Sequence, residues 1–237
     1  MRSIPTKQLV IVPSIPHMGT NTVADAVQTI NGYQVITQKH MLSGERPWPL
    51  ANALANHSIY KIHMGVDRYH GDGLERGHRG NSLAIEIIIA LVHEYPSVIP
   101  LRDPMMAAIT RVERAPAHMD ALSNNYDHMF DMLHLICMDF RHSAFIYPVN
   151  NAIYIPEGLA SYLDHEERPR MMPFQNKTSD WSGMNHGLLP IDKTLRAKYM
   201  NGEDLSDQVM LPFDRLCRDD DIKELYSMYG FQLDWMR

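Results

Sequence analysis

Three short polar groups, each just past an apolar run, carry the residue types from which anion chemistry is built. The first is Pro16, His17, Met18, Gly19, Thr20, Asn21 and Thr22, a glycine turn leading into a helical pattern. A helix that opens from such a turn aims unpaired N–H groups and the positive end of its dipole outward, which suits a phosphate or another anion. The second is Lys61 with His63. An ammonium supplies fixed positive charge, and an imidazole, with an ordinary pKa near neutrality, is suited to take a proton from an acceptor. The third is Arg102, followed by Asp103 and Pro104, whose guanidinium can grip a phosphate through parallel N–H donors. Each also has a plain structural reading. Gly19 and Thr20 shape a turn and cap a helix, Lys61 is a sheet-end charge, His63 bonds a loop, and Arg102 pairs with Asp103 at the surface.

The elements that position these groups alternate along the chain. Residues 9–12 are apolar and β-branched, a strand buried on both faces, and Pro13 and Pro16 stop it. A helix over 20–30 carries Val23 and Val27 one turn apart, and Asn31 with Gly32 ends it. Further strands are expected at 33–37, 57–63, 97–101 and 144–147. Helices are expected at 50–56, after a Ser82 cap with Leu83, Ile87, Ile88 and Leu91 as its stripe, and from Pro104 with Asp103 as N-cap. A long amphipathic helix runs from Leu122 through Tyr126, Met129, Phe130, Leu133, Ile136 and Cys137 to Phe140, and another occupies 156–163. The last helix, 219–230, has an acidic first turn and stops at Gly230. Alternation through residue 164 predicts a parallel sheet with helices on both faces, and ligands then bind beyond the carboxyl ends of the strands. All three polar groups fall at such ends, and that convergence is the first indication of chemistry.

Composition narrows the partners. A net charge of −6 argues against a general nucleic-acid or membrane-surface binder. No signal-peptide core and no apolar run of membrane-spanning length is found, so a soluble, cytoplasmic protein is expected, with Cys137 and Cys217 as buried, reduced thiols. The loop at 64–80 holds His70, Asp72 and His78 but neither a helical His pair nor a Cys cluster, so no metal is expected. The length suits one domain over 1–237, with the less regular 165–218 as a lid or acceptor wall.

Together these groups resemble the sulfotransferase family that uses 3′-phosphoadenosine 5′-phosphosulfate (PAPS). In that family a Pro-Lys-Ser-Gly-Thr-Thr-like loop holds the 5′ phosphosulfate, and Pro16, His17, Met18, Gly19, Thr20 and Asn21 are similar to it. Lys61, Ile62 and His63 resemble the family's Lys-Thr-His-like triplet, whose His is the general base. Arg102, Asp103 and Pro104, with Thr110 eight residues beyond Arg102, resemble its 3′-phosphate site, and 222–231 is similar to its terminal helix. The resemblance covers most of the chain in the family's order. It implies a three-layer α/β/α fold with a central, mostly parallel five-stranded sheet of P-loop NTPase-like topology. It also implies sulfuryl transfer from PAPS to a hydroxyl or amine on a small-molecule or carbohydrate acceptor. His63 and Lys61 would be catalytic; His17, Met18, Gly19, Thr20, Asn21, Thr22, Arg102 and Thr110 would bind the donor.

The chain departs from the family pattern in three places. His17 stands where the family has a Lys, Met18 and Asn21 replace hydroxyls, and no Arg-Lys-Gly-like segment lies near the C-terminus. A nucleotide or polynucleotide kinase of related topology is the first alternative, opposed by the lack of a Gly-x-x-x-x-Gly-Lys-[Ser/Thr] loop. A catalytically inactive nucleotide-binding module is the second, kept open by His17.

Overall fold

The computed structural model describes residues 9–14, 18–37, 57–63, 85–114, 122–150, 153–172, 193–203, 205, 210 and 213–233. For 37, 63, 85–87, 110–114, 122–128 and 193–196 it describes the backbone alone. In chain order the elements are β1 (Leu9–Ser14), α1 (Thr20–Asn31), β2 (Gln34–Thr37), β3 (Ser58–His63), α2 (Ile85–Glu94), β4 (Val98–Leu101), α3 (Pro104–Arg114) and α4 (Leu122–Leu135). After α4 come a π-helical turn (Ile136–Phe140), a last turn (Arg141–Ser143), β5 (Phe145–Pro148), α5 (Leu159–Tyr162), α6 (Lys193–Met200), α7 (Asp214–Cys217) and α8 (Asp220–Met228). Four of the five expected strands lie within one residue of their expected bounds, whereas β1 continues through Pro13, the residue expected to stop it, to Ser14, because the N–H that proline lacks is not needed by the β1–β3 ladder. The helix expected at 156–163 is shorter, and the one expected at 50–56 lies outside the described residues. The chain forms two compact units, Met1–Leu101 with Met138–Pro173, and Arg102–Cys137 with Phe174–Arg237.

Among the described residues the first unit holds five strands, and each of their ladders is parallel. β1 pairs with β3 from Leu9↔Ser58 to Ser14↔His63, and β2 pairs with β3 from Gln34↔Ser58 to Thr37↔Lys61, giving the order β2-β3-β1. β4 pairs with β5 from Val98↔Phe145 to Leu101↔Pro148. The two ladders meet at one bridge, Ile11↔Ser97, where the Ile11 N–H donates to the Pro96 carbonyl at 2.9 Å. The expected single five-stranded sheet is thus a three-stranded and a two-stranded ladder joined by one rung. Proline explains the break: continuing the β1–β4 ladder calls on N–H groups at Pro13 and Pro100, and proline has none.

β1 is buried along its whole length, as its unbroken apolar run requires. Its Val10 and Val12 pack with Val23, Ala24 and Val27 of α1, Ile59 of β3, Val98 of β4 and Leu159 of α5. Each aliphatic side chain so buried contributes roughly 1.5–3 kcal/mol relative to exposure. α1 ends where its sequence says it should: Gly32 adopts φ +70 and returns its N–H to the Gln28 carbonyl at 2.8 Å.

The second unit is helical among the described residues. The amphipathic helix from Leu122 is interrupted by the π-helical turn, within which the boundary between the units falls. Met129, Met132, Leu133 and Ile136 are buried, and the Arg215 guanidinium lies 3.6 Å from the centre of the Phe130 ring. α8 is bounded on both sides by local chemistry. The Asp219 carboxylate accepts the Ile222 N–H at 3.0 Å. At the other end Phe231 N–H reaches the Tyr226 carbonyl, Gly230 N–H reaches Ser227, and the Phe231 and Tyr226 rings meet edge-on.

Candidate functional site

In the first unit the candidate site is built at the carboxyl ends of β1 and β3. β1 ends at Ser14, fully buried; His17 lies outside the described residues. Met18 sits in the core, and the chain turns at Gly19 with φ +104. A side chain is excluded there twice over. The backbone is left-handed, and a Cβ would lie 2.8 Å from both methyl carbons of Val149. The Gly19 carbonyl accepts the Val23 N–H at 3.1 Å, so α1 starts directly from the turn and its first N–H groups face forward.

Two side-chain links fasten this turn to the sheet. The hydroxyls of Ser14 and Thr20, both buried, hydrogen-bond to each other and tie the tip of β1 to the first residue of α1. The Lys61 ammonium, on β3, donates to Asn21 Oδ1 at 2.8 Å. Lys61 stands level with Val12 on one side and Thr37 on the other, and β3 ends at His63, the ladder partner of Ser14. His63 is described by its backbone alone. The structure therefore brings Met18, Gly19, Thr20, Asn21, Thr22 and Lys61 together around one turn, with the His63 backbone beside the end of β1. The donors assembled are N–H groups, hydroxyls, a carboxamide and an ammonium, and residues 18–22 contain no carboxylate. Such a set can hold an anion.

No family model and no curated protein matches the chain.

The remaining candidates belong to the second unit, which Arg102 opens directly after β4. Asp103 caps α3 as expected, its Oδ1 accepting the Met105 N–H at 2.9 Å, while its Oδ2 accepts the Tyr199 hydroxyl. The Arg102 carbonyl accepts the Tyr226 hydroxyl at 2.9 Å. Burial, and then the negative charge of Asp103, push the Tyr226 pKa well above its ordinary value, so it remains a neutral donor. The Arg102 backbone is thus held by α8, and the Asp103 side chain by α6. Thr110 lies in α3, described by its backbone alone.

Sequence reasoning passes over Ser14, Tyr199 and the Tyr226 hydroxyl as supports of these positions. Only Tyr226 leaves a usable signal, since a tyrosine on an apolar helix face needs a partner for its hydroxyl. Ser14 reads as the small end of an apolar run, and its partner six residues on is set by the turn. Among the described residues, no group of three or more His, Cys, Asp or Glu is arranged to hold a metal ion, and 64–80 lies outside them. No helix among the described residues is long and apolar enough to cross a membrane.

Proposed function

We propose that this chain is a sulfotransferase-like enzyme that moves a sulfuryl group from PAPS to a hydroxyl or amine acceptor. The observation that carries the reading is the Lys61–Asn21 contact of 2.8 Å, which puts an ammonium at a glycine turn where a 12-residue helix begins. Topology supports it. β1 connects to β2 on one side, whereas β3 connects to β4 on the other, so the direction of winding reverses at β1. If both crossovers take the usual right hand, α1 and α2 lie on opposite faces, which supports the reading of a three-layer, P-loop-like fold. The reversal marks the crevice in which such sheets take their ligands.

The bound nucleotide supplies an activated sulfuryl group at its 5′ end and a phosphate at its 3′ position. The N–H groups from Gly19 to Thr22 and the Thr20 hydroxyl hold the 5′ phosphosulfate. Lys61 neutralises the charge that gathers on the bridging oxygen as its bond to sulfur breaks. His63 takes the proton from the acceptor as the acceptor atom bonds to sulfur. The resemblance assigns the 3′ phosphate to Arg102, assisted by Thr110.

A titration with 3′-phosphoadenosine 5′-phosphate against ATP with magnesium tests the donor. Preference for the bisphosphate, weakened about tenfold or more in Arg102→Ala, is expected from loss of a charge-assisted pair. A preference for ATP supports a kinase-like phosphotransferase instead. His63→Ala is expected to lower turnover by about 100-fold or more with donor affinity nearly unchanged. Surviving turnover removes His63 as the base. Tight bisphosphate binding with no transfer to any acceptor supports the inactive nucleotide-binding module, a reading that His17 in place of lysine favours.

A further inference from the structure

We infer that Asn21 is a positioning residue: its carboxamide holds the Lys61 ammonium against the glycine turn, so that Lys61 supplies the fixed positive charge that His17 does not. The assignment rests on the anion-binding reading of this turn given above. Lys61 and Asn21 are 40 residues apart and belong to different elements, β3 and α1, so their contact of 2.8 Å is set by the fold rather than by local sequence. A lysine ends in a compact charge on a flexible stem, and fixing it at one place costs much of its rotamer freedom. A bond that already fixes it in the free protein removes most of that cost from the binding step. Asparagine suits the task because its Oδ1 accepts from the ammonium while its Nδ2 carries two further donors. A threonine at position 21 would bring only a single short hydroxyl. A neutral imidazole at position 17 offers one donor and no charge, so the ammonium at the turn has to come from elsewhere, and Lys61 is already in place.

A double-mutant cycle on the full chain, read as affinity for 3′-phosphoadenosine 5′-phosphate, tests the assignment. Lys61→Met is expected to weaken binding about 30-fold, in the range for hydrogen bonds to charged groups, and Asn21→Ala about fivefold, in the range for an ordinary hydrogen bond. If Asn21 works through Lys61, adding Asn21→Ala to Lys61→Met changes affinity by less than about twofold. A purely structural role for Asn21 in the turn gives additive losses and overturns the assignment. A second measurement needs no ligand: acylation of the Lys61 amine, followed by peptide mass analysis, should run faster in Asn21→Ala than in wild type, with circular dichroism confirming the fold. An unchanged rate overturns the tether. Failure of the underlying reading looks different, because wild type then shows no affinity for the bisphosphate and both assignments fall. Bisphosphate binding with an additive cycle removes only the role of Asn21.

Discussion

At Gly19 two demands meet on one residue, a left-handed backbone at φ +104 and the methyl groups of Val149 within 2.8 Å of where a Cβ would stand. Alanine there pays for both. Strain in the left-handed region costs about 1–3 kcal/mol, and overpacking adds a similar amount. Gly19→Ala is therefore expected to lower stability by about 3 kcal/mol or more, read as a lower urea midpoint at unchanged slope. Val149→Ala in the same chain should return the packing part and leave the backbone part. Equal midpoints for Gly19→Ala and wild type would show that the turn is not built as described. At this scale the sequence was half legible. A glycine followed by a hydroxyl residue at the end of an apolar run announces a turn and a helix start. That Val149, 130 positions away, forbids a side chain there is not written in either segment.

Helix ends were the most legible elements, because capping is local. Asp103 before Pro104, Asn31 before Gly32, and Asp219 with Gly230 bounding α8 each satisfy backbone groups within a few residues. What capping does not specify is where a helix docks. The Tyr226 hydroxyl reaches the Arg102 carbonyl across 124 positions, and this bond fixes the backbone of the proposed 3′-phosphate residue to α8. Tyr226→Phe removes the donor and leaves a carbonyl unsatisfied, so a loss of about 1–2 kcal/mol is expected in chemical denaturation. A Tyr226→Phe protein as stable as wild type would mean that water satisfies the carbonyl equally well. The π-helical turn at Ile136–Phe140 belongs to the same class of features. The apolar stripe that predicts a long helix says nothing about an extra residue in one of its turns.

For the molecule as a whole, buried tyrosines set an alkaline limit. Burial raises the pKa of Tyr60 to about 12 and pushes those of Tyr147 and Tyr226 up from their ordinary value as well. In the unfolded chain these phenols titrate near 10. Between about pH 10 and 12 the unfolded state therefore gives up protons that the folded state keeps, and stability falls as pH rises. Alkaline titration of the chain, with its 11 tyrosines, should show a late fraction of tyrosinate absorbance appearing together with loss of circular dichroism. Smooth ionisation of every tyrosine near pH 10 in a chain that stays folded would contradict this.

By itself the sequence determined the parallel sense of the strands, the two ends of α1 and α8 and the start of α3. Periodicity, prolines and caps act over a few residues, and each is visible where it acts. Tertiary structure alone decided that Ser14 closes on Thr20 and that Lys61 reaches Asn21. It also decided that β1 shares a single rung with the β4 ladder. The reason is that hydrogen bonds between distant segments depend on register. One residue of slip along β3 would turn Lys61 to the other face of the sheet, and no local pattern fixes that choice.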